Sequence, residues 1–252
     1  MNIAVLVKQT PQVSEVTISD KAEWPESGTI INPFDEYAIE EGLRIREKLG
    51  GKVVALSYGI DKAESALRDA LALGVDEAVL ITDQSYSYLD PQRAALGLSK
   101  AIARLGDIQM VLTGKQATDD DSALMAPSVA AYLDWPQVGF IKKFESVTPD
   151  KIICYRTTDY GYDKVEVPLP AVFSVVKEIN EPRLPSLKGK MKAKKAPIAR
   201  MTAAELRLNN GGFVIQKGIS SPPSRPSGEI LSGEKGEIID KLIARLKENQ
   251  IL

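Results

Sequence analysis

Over its first 135 residues this chain alternates short apolar runs with stretches of helical period, a rhythm that few folds satisfy. Asn2 to Val7 reads as a strand buried on both faces. A polar stretch follows, Gln9 to Gly28, with a β-like piece at Val16-Thr17-Ile18. Asn32-Pro33-Phe34-Asp35-Glu36 then opens a helix, with Asn as N-cap, Pro at the first position and acids in the first turn. Gly50-Gly51 should stop it. Further strands are predicted at Val53 to Ser57, Ala78 to Ile81 and Gln109 to Thr113. Helices are predicted from Asp61 to Leu73, from Asp90-Pro91 to Gly106, and from about Asp120 to Leu133. Repetition of this kind builds βαβ units. The fold class is therefore α/β, a doubly wound, mostly parallel sheet with helices on both faces.

The pattern changes after Gly139. Lys151 to Thr158, Lys164 to Val167 and Ala171 to Val176 alternate without intervening helices, so added antiparallel strands are expected. From Glu181 onward Pro, Lys, Ser and Gly dominate. Met201-Thr202-Ala203-Ala204-Glu205 carries a capping-box signature for one short helix. Ser220-Ser221-Pro222-Pro223-Ser224-Arg225-Pro226 reads as linker. Ile238, Ile239, Leu242 and Leu246 mark a terminal amphipathic helix. Such a tail cannot bury enough surface to fold alone, and is expected to be an extended arm lying on this domain or on a partner.

Composition removes whole classes of chemistry. The chain has no histidine and one cysteine, Cys154. That excludes Ser-His-Asp and Cys-His catalysis, His-based metal sites, an internal disulfide and any self-contained Cys-based cluster. No metal site is expected, and redox chemistry would have to belong to a bound organic cofactor. No apolar run approaches the roughly 18 residues that span a bilayer, and the N-terminus lacks a signal-peptide layout. A soluble, cytoplasmic protein is expected. Charge is uneven: Arg183 to Arg200 holds Lys188, Lys190, Lys192, Lys194 and Lys195 and no acid, so +7 here against −2 overall leaves −9 elsewhere.

In open α/β sheets ligands sit at the carboxyl ends of strands. Three such ends carry unusual residues: Leu6-Val7-Lys8, Ser57-Tyr58-Gly59, and Thr113-Gly114-Lys115-Gln116-Ala117-Thr118-Asp119-Asp120-Asp121-Ser122. The last leads into a helix start, which suits a phosphate. The aspartates there would point outward, cap the helix or hold ribose hydroxyls. GxGxxG and GxxxxGK[ST] are absent, which argues against a Rossmann dehydrogenase or a P-loop NTPase. Singly, each of these segments has a plain structural explanation; the combination carries more.

That combination resembles the beta subunits of electron transfer flavoproteins. It comprises Val7-Lys8 after the first strand, Asn32-Pro33-Phe34-Asp35-Glu36, Ala70-Leu71-Ala72-Leu73-Gly74, Gly114 through Asp121, Leu133-Asp134-Trp135-Pro136-Gln137, Leu169-Pro170-Ala171-Val172, Asn180-Glu181-Pro182-Arg183 and Met191-Lys192-Ala193-Lys194-Lys195. The resemblance covers essentially the whole chain. It implies an adenine nucleotide alpha-hydrolase-like, Rossmann-related fold and a heterodimer with an alpha subunit that holds most of a redox-active FAD. It also implies a structural AMP in this subunit. The complex would be an electron carrier, not an enzyme, moving electrons from flavin dehydrogenases such as acyl-CoA dehydrogenases, in fatty acid β-oxidation, to a membrane quinone oxidoreductase.

Carried over by position, the AMP site comprises Leu6, Asn32, Pro33, Phe34, Asp35, Tyr58, Gly114, Lys115, Gln116, Ala117, Thr118, Asp119, Asp120, Asp121, Ser122, Ala123, Leu124 and Met125. Backbone groups at Leu6 and Tyr58 would frame adenine, and N–H groups of Ser122 to Met125 would take the phosphate. Ala123-Leu124-Met125 stands where the family has polar residues, often Asn-Gln-Thr, so Ser122 and the backbone remain. AMP, a second FAD as in electron-bifurcating members, or an empty pocket are the alternatives. Bifurcating members tend to read Asp-Gly-Asp-Thr, and a side chain at Asp120 blocks the backbone approach that Gly permits. The resemblance further implies residues 1–180 as the nucleotide-binding domain, 181–200 as a partner-recognition loop, and 201–252 as an arm on the alpha subunit. In that loop Leu187 would plug an apolar pocket of the dehydrogenase, with Arg183, Lys188 and Met191 fixing the pose. The basic stretch is then a docking segment rather than a nucleic-acid footprint.

Overall fold

In a computed structural model of the chain, residues 1–12, 29–83, 90–208, 211–214 and 227–252 are described. Val16-Thr17-Ile18 and the Pro-rich stretch Ser220 to Pro226 lie outside them. The chain opens with β1 (Asn2–Leu6), then a two-stranded antiparallel ribbon, β2 (Gln9–Pro11) and β3 (Thr29–Ile31). Next come α1 (Pro33–Leu49), β4 (Lys52–Gly59), α2 (Glu64–Leu73) after one 3-10 turn at Asp61–Ala63, β5 (Glu77–Thr82), α3 (Pro91–Leu105) and β6 (Met110–Gly114). Among the described residues of this half, the predicted strands and helices are present.

The second half holds α4 (Met125–Leu133), β7 (Gln137–Val147), β8 (Lys151–Thr158), β9 (Gly161–Pro168), β10 (Ala171–Val175), α5 (Leu187–Lys195) and β11 (Ala199–Thr202). The sheet runs β11-β5-β4-β1-β6-β10-β7-β8-β9. All pairs from β11 to β7 are parallel, and β8 is antiparallel to both its neighbours.

Successive residues of β1 face opposite sides of the sheet, and each side has its own core. Ile3 and Val5 pack with Ile39 and Leu43 of α1 and Leu67 of α2. Ala4 and Leu6 pack with Leu98 and Ile102 of α3 and Val129 of α4. The sheet is thus covered on both faces, as the alternation in sequence requires.

Three expectations are corrected. Ala171 to Val176 is no antiparallel addition: β10 inserts between β6 and β7, parallel to both, and is wholly buried. The capping box forms, with the Thr202 N–H donating to Glu205 Oε2 at 2.7 Å and the Glu205 N–H donating to Thr202 Oγ1 at 3.1 Å, but it caps a turn and no helix follows. Residues 181–200 are not a loop throughout, because α5 occupies the middle and β11 begins at Ala199. The first compact unit extends to Gly218, with Leu206 and Leu208 buried in it. The second, Ile219–Leu252, contains α6 (Lys235–Glu248), which coincides with the predicted terminal helix.

Candidate functional site

The connection order reverses at β1, with β4 on one side and β6 on the other. A cleft is expected at such a switch point. One of about 670 Å³, counting its open mouth, lies at the carboxyl ends of β1, β4 and β6.

Asp35 ties two of those strand ends together. It is buried, and its carboxyl accepts the Lys8 N–H at 2.8 Å and the Gly114 N–H at 3.2 Å. A Cβ at Gly114 would lie 2.6 Å from Asp35 Oδ1 and from the Phe34 carbonyl carbon, so the close approach excludes a side chain. Burial pushes the Asp35 carboxyl up to about 7 despite these donors and the Lys8 charge.

Asn32 occupies the N-cap position of α1, but its side chain makes no cap hydrogen bond. It reaches the loop after β6 instead: Nδ2 donates to the Gln116 carbonyl at 2.9 Å, and Oδ1 accepts the Thr118 N–H at 3.3 Å. This corrects its expected role as a helix cap.

The three aspartates are all engaged within the site. Lys8 Nζ lies 2.8 Å from Asp119 Oδ1 and 3.3 Å from Asp120 Oδ2. Asp120 Oδ1 accepts the Ser122 N–H at 3.0 Å, an Asx-type turn, and Asp121 pairs with the Gln116 amide. None caps α4, which starts at Met125 rather than near Asp120. Asp121 (φ 52°) and Ala123 (φ 54°) are left-handed, which a helix cannot contain. The expected phosphate donors, Ser122 to Met125, therefore belong mostly to a turn ahead of the helix. Pro127 falls at the third helical position and offers no N–H.

The opposite wall is braced by a buried network. The Tyr58 hydroxyl donates to Asp83 Oδ2, and Arg93 Nε lies 2.6 Å from the same oxygen. Arg93 also donates to the Gly211 carbonyl. Burial, then the Asp83 carboxylate, pushes the Tyr58 phenol well above its ordinary range. Asp90 accepts the Arg93 N–H at 2.9 Å and the Phe213 N–H at 2.6 Å, closing residues 211–214 over the start of α3.

Of the residues expected at the site, Leu6, Asn32, Asp35, Tyr58, Gly114 to Ala117, Asp120 and Ser122 to Met125 line this cleft. Pro33, Phe34, Thr118, Asp119 and Asp121 do not line it. Val7, Lys8 and Thr113, at strand ends marked in the sequence, line it too, whereas the wall from α3, Asp90, Pro91, Ala94 and Leu98, has no counterpart among the expected site residues. The signal for that wall lies in the sequence: Asp90-Pro91 is a helix start that follows a parallel strand.

Arg183, Leu187, Lys188 and Met191 lie apart from the cleft, at and before α5. Leu187 and Met191 are 78% and 63% exposed. Arg183 turns inward, with Nε 2.7 Å from Glu40 Oε2 and Nη1 2.7 Å from Glu47 Oε1. Among the described residues no group of three or more Cys, Asp or Glu is placed to hold a metal, and no helix is long and apolar enough to cross a membrane.

Comparison with known proteins adds a family. Residues 25–206 match the electron transfer flavoprotein domain. The chain is 38% identical to an electron transfer flavoprotein subunit beta of Thermoanaerobacterium thermosaccharolyticum and 32% identical to one of Megasphaera elsdenii, each over 100% of both chains. It is 31% identical, again over 100% of both, to the caffeyl-CoA reductase-Etf complex subunit CarD of Acetobacterium woodii.

Proposed function

The chain belongs to the electron transfer flavoprotein family as an electron-carrier subunit of the beta type, not an enzyme, and from that premise we propose how it works. It pairs with an alpha subunit that holds most of a FAD, and its own cleft takes AMP as a structural ligand. The heterodimer, in the cytoplasm, accepts electrons from flavin dehydrogenases such as acyl-CoA dehydrogenases and delivers them to a quinone oxidoreductase.

The observation that carries the reading is the convergence on one cleft of three strand ends and the starts of α1 and α3. Leu6 and Tyr58 stand where backbone groups would frame an adenine. Asp120 takes the Ser122 N–H and hydroxyl, so the backbone N–H groups of Ala123 to Met125 are the ones that would meet a phosphate, with Asn32 and Asp35 holding the loop in register. FAD, when bound, supplies the redox chemistry. This chain's residues orient the ligand, exclude water from the adenine and build the surface on which the alpha subunit sits.

A second reading, with a second FAD in the cleft, draws on the relative that is a subunit of a reductase–Etf complex. Against it stands the Asp120 side chain, which lines the cleft where bifurcating members tend to have Gly. The test of function is co-expression with the alpha subunit. The heterodimer should carry a flavin that a reduced acyl-CoA dehydrogenase reduces and a quinone oxidoreductase reoxidises. A flavin that accepts no electrons from any flavin dehydrogenase would contradict the proposal.

A further inference from the structure

Helix α5 turns opposite faces to the protein and to its surroundings. Gly189 and Ala193 lie one turn apart on one face, and Leu187 and Met191 are offset from them by two residues, about 200° around the axis. Ala193 is buried, while Leu187 and Met191 are exposed, as is Leu184 just ahead of the helix. The inner face rests on the last turn of α2. A Cβ at Gly189 would lie 2.5 Å from the Ala72 carbonyl oxygen, a backbone atom that cannot swing aside.

One side chain grips the far end of α5. Arg68 of α2, held by Glu64 at 2.8 Å, donates through Nη1 to the Ala193 carbonyl at 2.7 Å and to the Ala196 carbonyl. The last carbonyls of a helix lack intrahelical partners and carry the negative end of its dipole, so a guanidinium there is both cap and counter-charge. At the near end Arg183 is fixed by Glu40 and Glu47, and beyond the helix Arg200 is fixed by Asp61 and Glu64. Both arginines of the basic stretch are thus used internally. Its lysines make no close ion pair among the described residues; Lys190 acts on Asp69 at longer range, and the charge of Lys188, Lys192, Lys194 and Lys195 is left for a partner.

We propose that Arg68 and Gly189 are positioning residues for electron-donor docking: they set the pose in which α5 offers Leu187 and Met191 to an apolar socket with an acidic rim. The proposal rests on the reading of α5 as the docking segment. Arg68 acts from α2, outside the basic stretch, and it acts through the helix rather than by touching the partner. Gly189 acts by letting the two backbones meet.

The experiment uses the intact heterodimer and follows flavin reduction by the acyl-CoA dehydrogenase that reduces the wild-type protein. Arg68→Ala and Gly189→Ala should each raise the KM for the flavoprotein by roughly tenfold, with kcat and flavin content unchanged. Arg68→Lys should recover part of the loss. Arg68→Ala combined with Leu187→Ala should raise the KM by less than the product of the two single effects, because Arg68 acts in part through the Leu187 contact. If Leu187→Ala raises the KM but Arg68→Ala and Gly189→Ala do not, or if the effects multiply, the positioning role is overturned while docking through α5 stands. If Leu187→Ala changes nothing, the docking reading falls and the positioning role with it.

Discussion

Lys8, just past the end of β1, and Asp119, in the loop after β6, are joined Nζ to Oδ1 at 2.8 Å across 111 residues of sequence. The contact is partly shielded, with Lys8 21% and Asp119 8% exposed. It pulls the cleft loop onto the carboxyl end of β1, in the middle of the sheet, and Asp120 adds a second contact at 3.3 Å. Lys8→Met keeps most of the apolar stem, removes the charge and strands a largely buried carboxylate. It should cost about 2 kcal/mol, below the 3–5 of a fully buried pair because Lys8 still reaches solvent. Urea unfolding measures the cost. Nucleotide retention in the heterodimer should fall with it.

Asp35 makes a pH-dependent prediction. Its carboxyl is raised to about 7 by burial, against about 3.9 in an unfolded chain. Between those values the folded protein holds a proton that the unfolded chain has lost, so the contribution of this group to stability falls as pH rises through that window and is gone above it. Asp35→Asn cannot ionise. The stability difference between wild type and Asp35→Asn should shrink by roughly 2–3 kcal/mol from pH 5 to pH 8. Urea denaturation at several pH values reads it; a difference constant with pH would contradict the buried, protonated carboxyl.

The ion pair between Arg93 and Asp83 is deeper, with both side chains at most 5% exposed. Arg93→Ala leaves Asp83 charged and buried, and should cost about 3–5 kcal/mol. The loss should appear as a lower urea midpoint. Removing the Arg93 contact to Gly211 should also speed hydrogen exchange in residues 211–214, leaving the Asp90 contact to Phe213.

The elements that position the cleft were legible in the sequence where local signals decide them. Asn32-Pro33 and Asp90-Pro91 do start helices, and the runs after Asn2, Lys52 and Gln109 are parallel strands. What was not legible depends on distant residues. Asp119-Asp120-Asp121 resembles a helix start, but Lys8 holds the first two, and the left-handed turns at Asp121 and Ala123 delay α4 to Met125. Asn32 looks like a cap, yet the loop at Gln116 to Thr118 competes for its amide and wins. β10 follows a hairpin meander in sequence, which suggests an antiparallel partner. Its pairing with β6 and β7 is set by topology that no local pattern encodes.

The central claim is that the cleft of this subunit holds AMP while the redox flavin belongs mainly to the partner. The direct measurement is to purify the heterodimer, denature it and separate the released nucleotides by chromatography. FAD and AMP should appear in equal amounts, one of each per heterodimer. Two FAD per heterodimer with no AMP would contradict it and place a second flavin in the cleft.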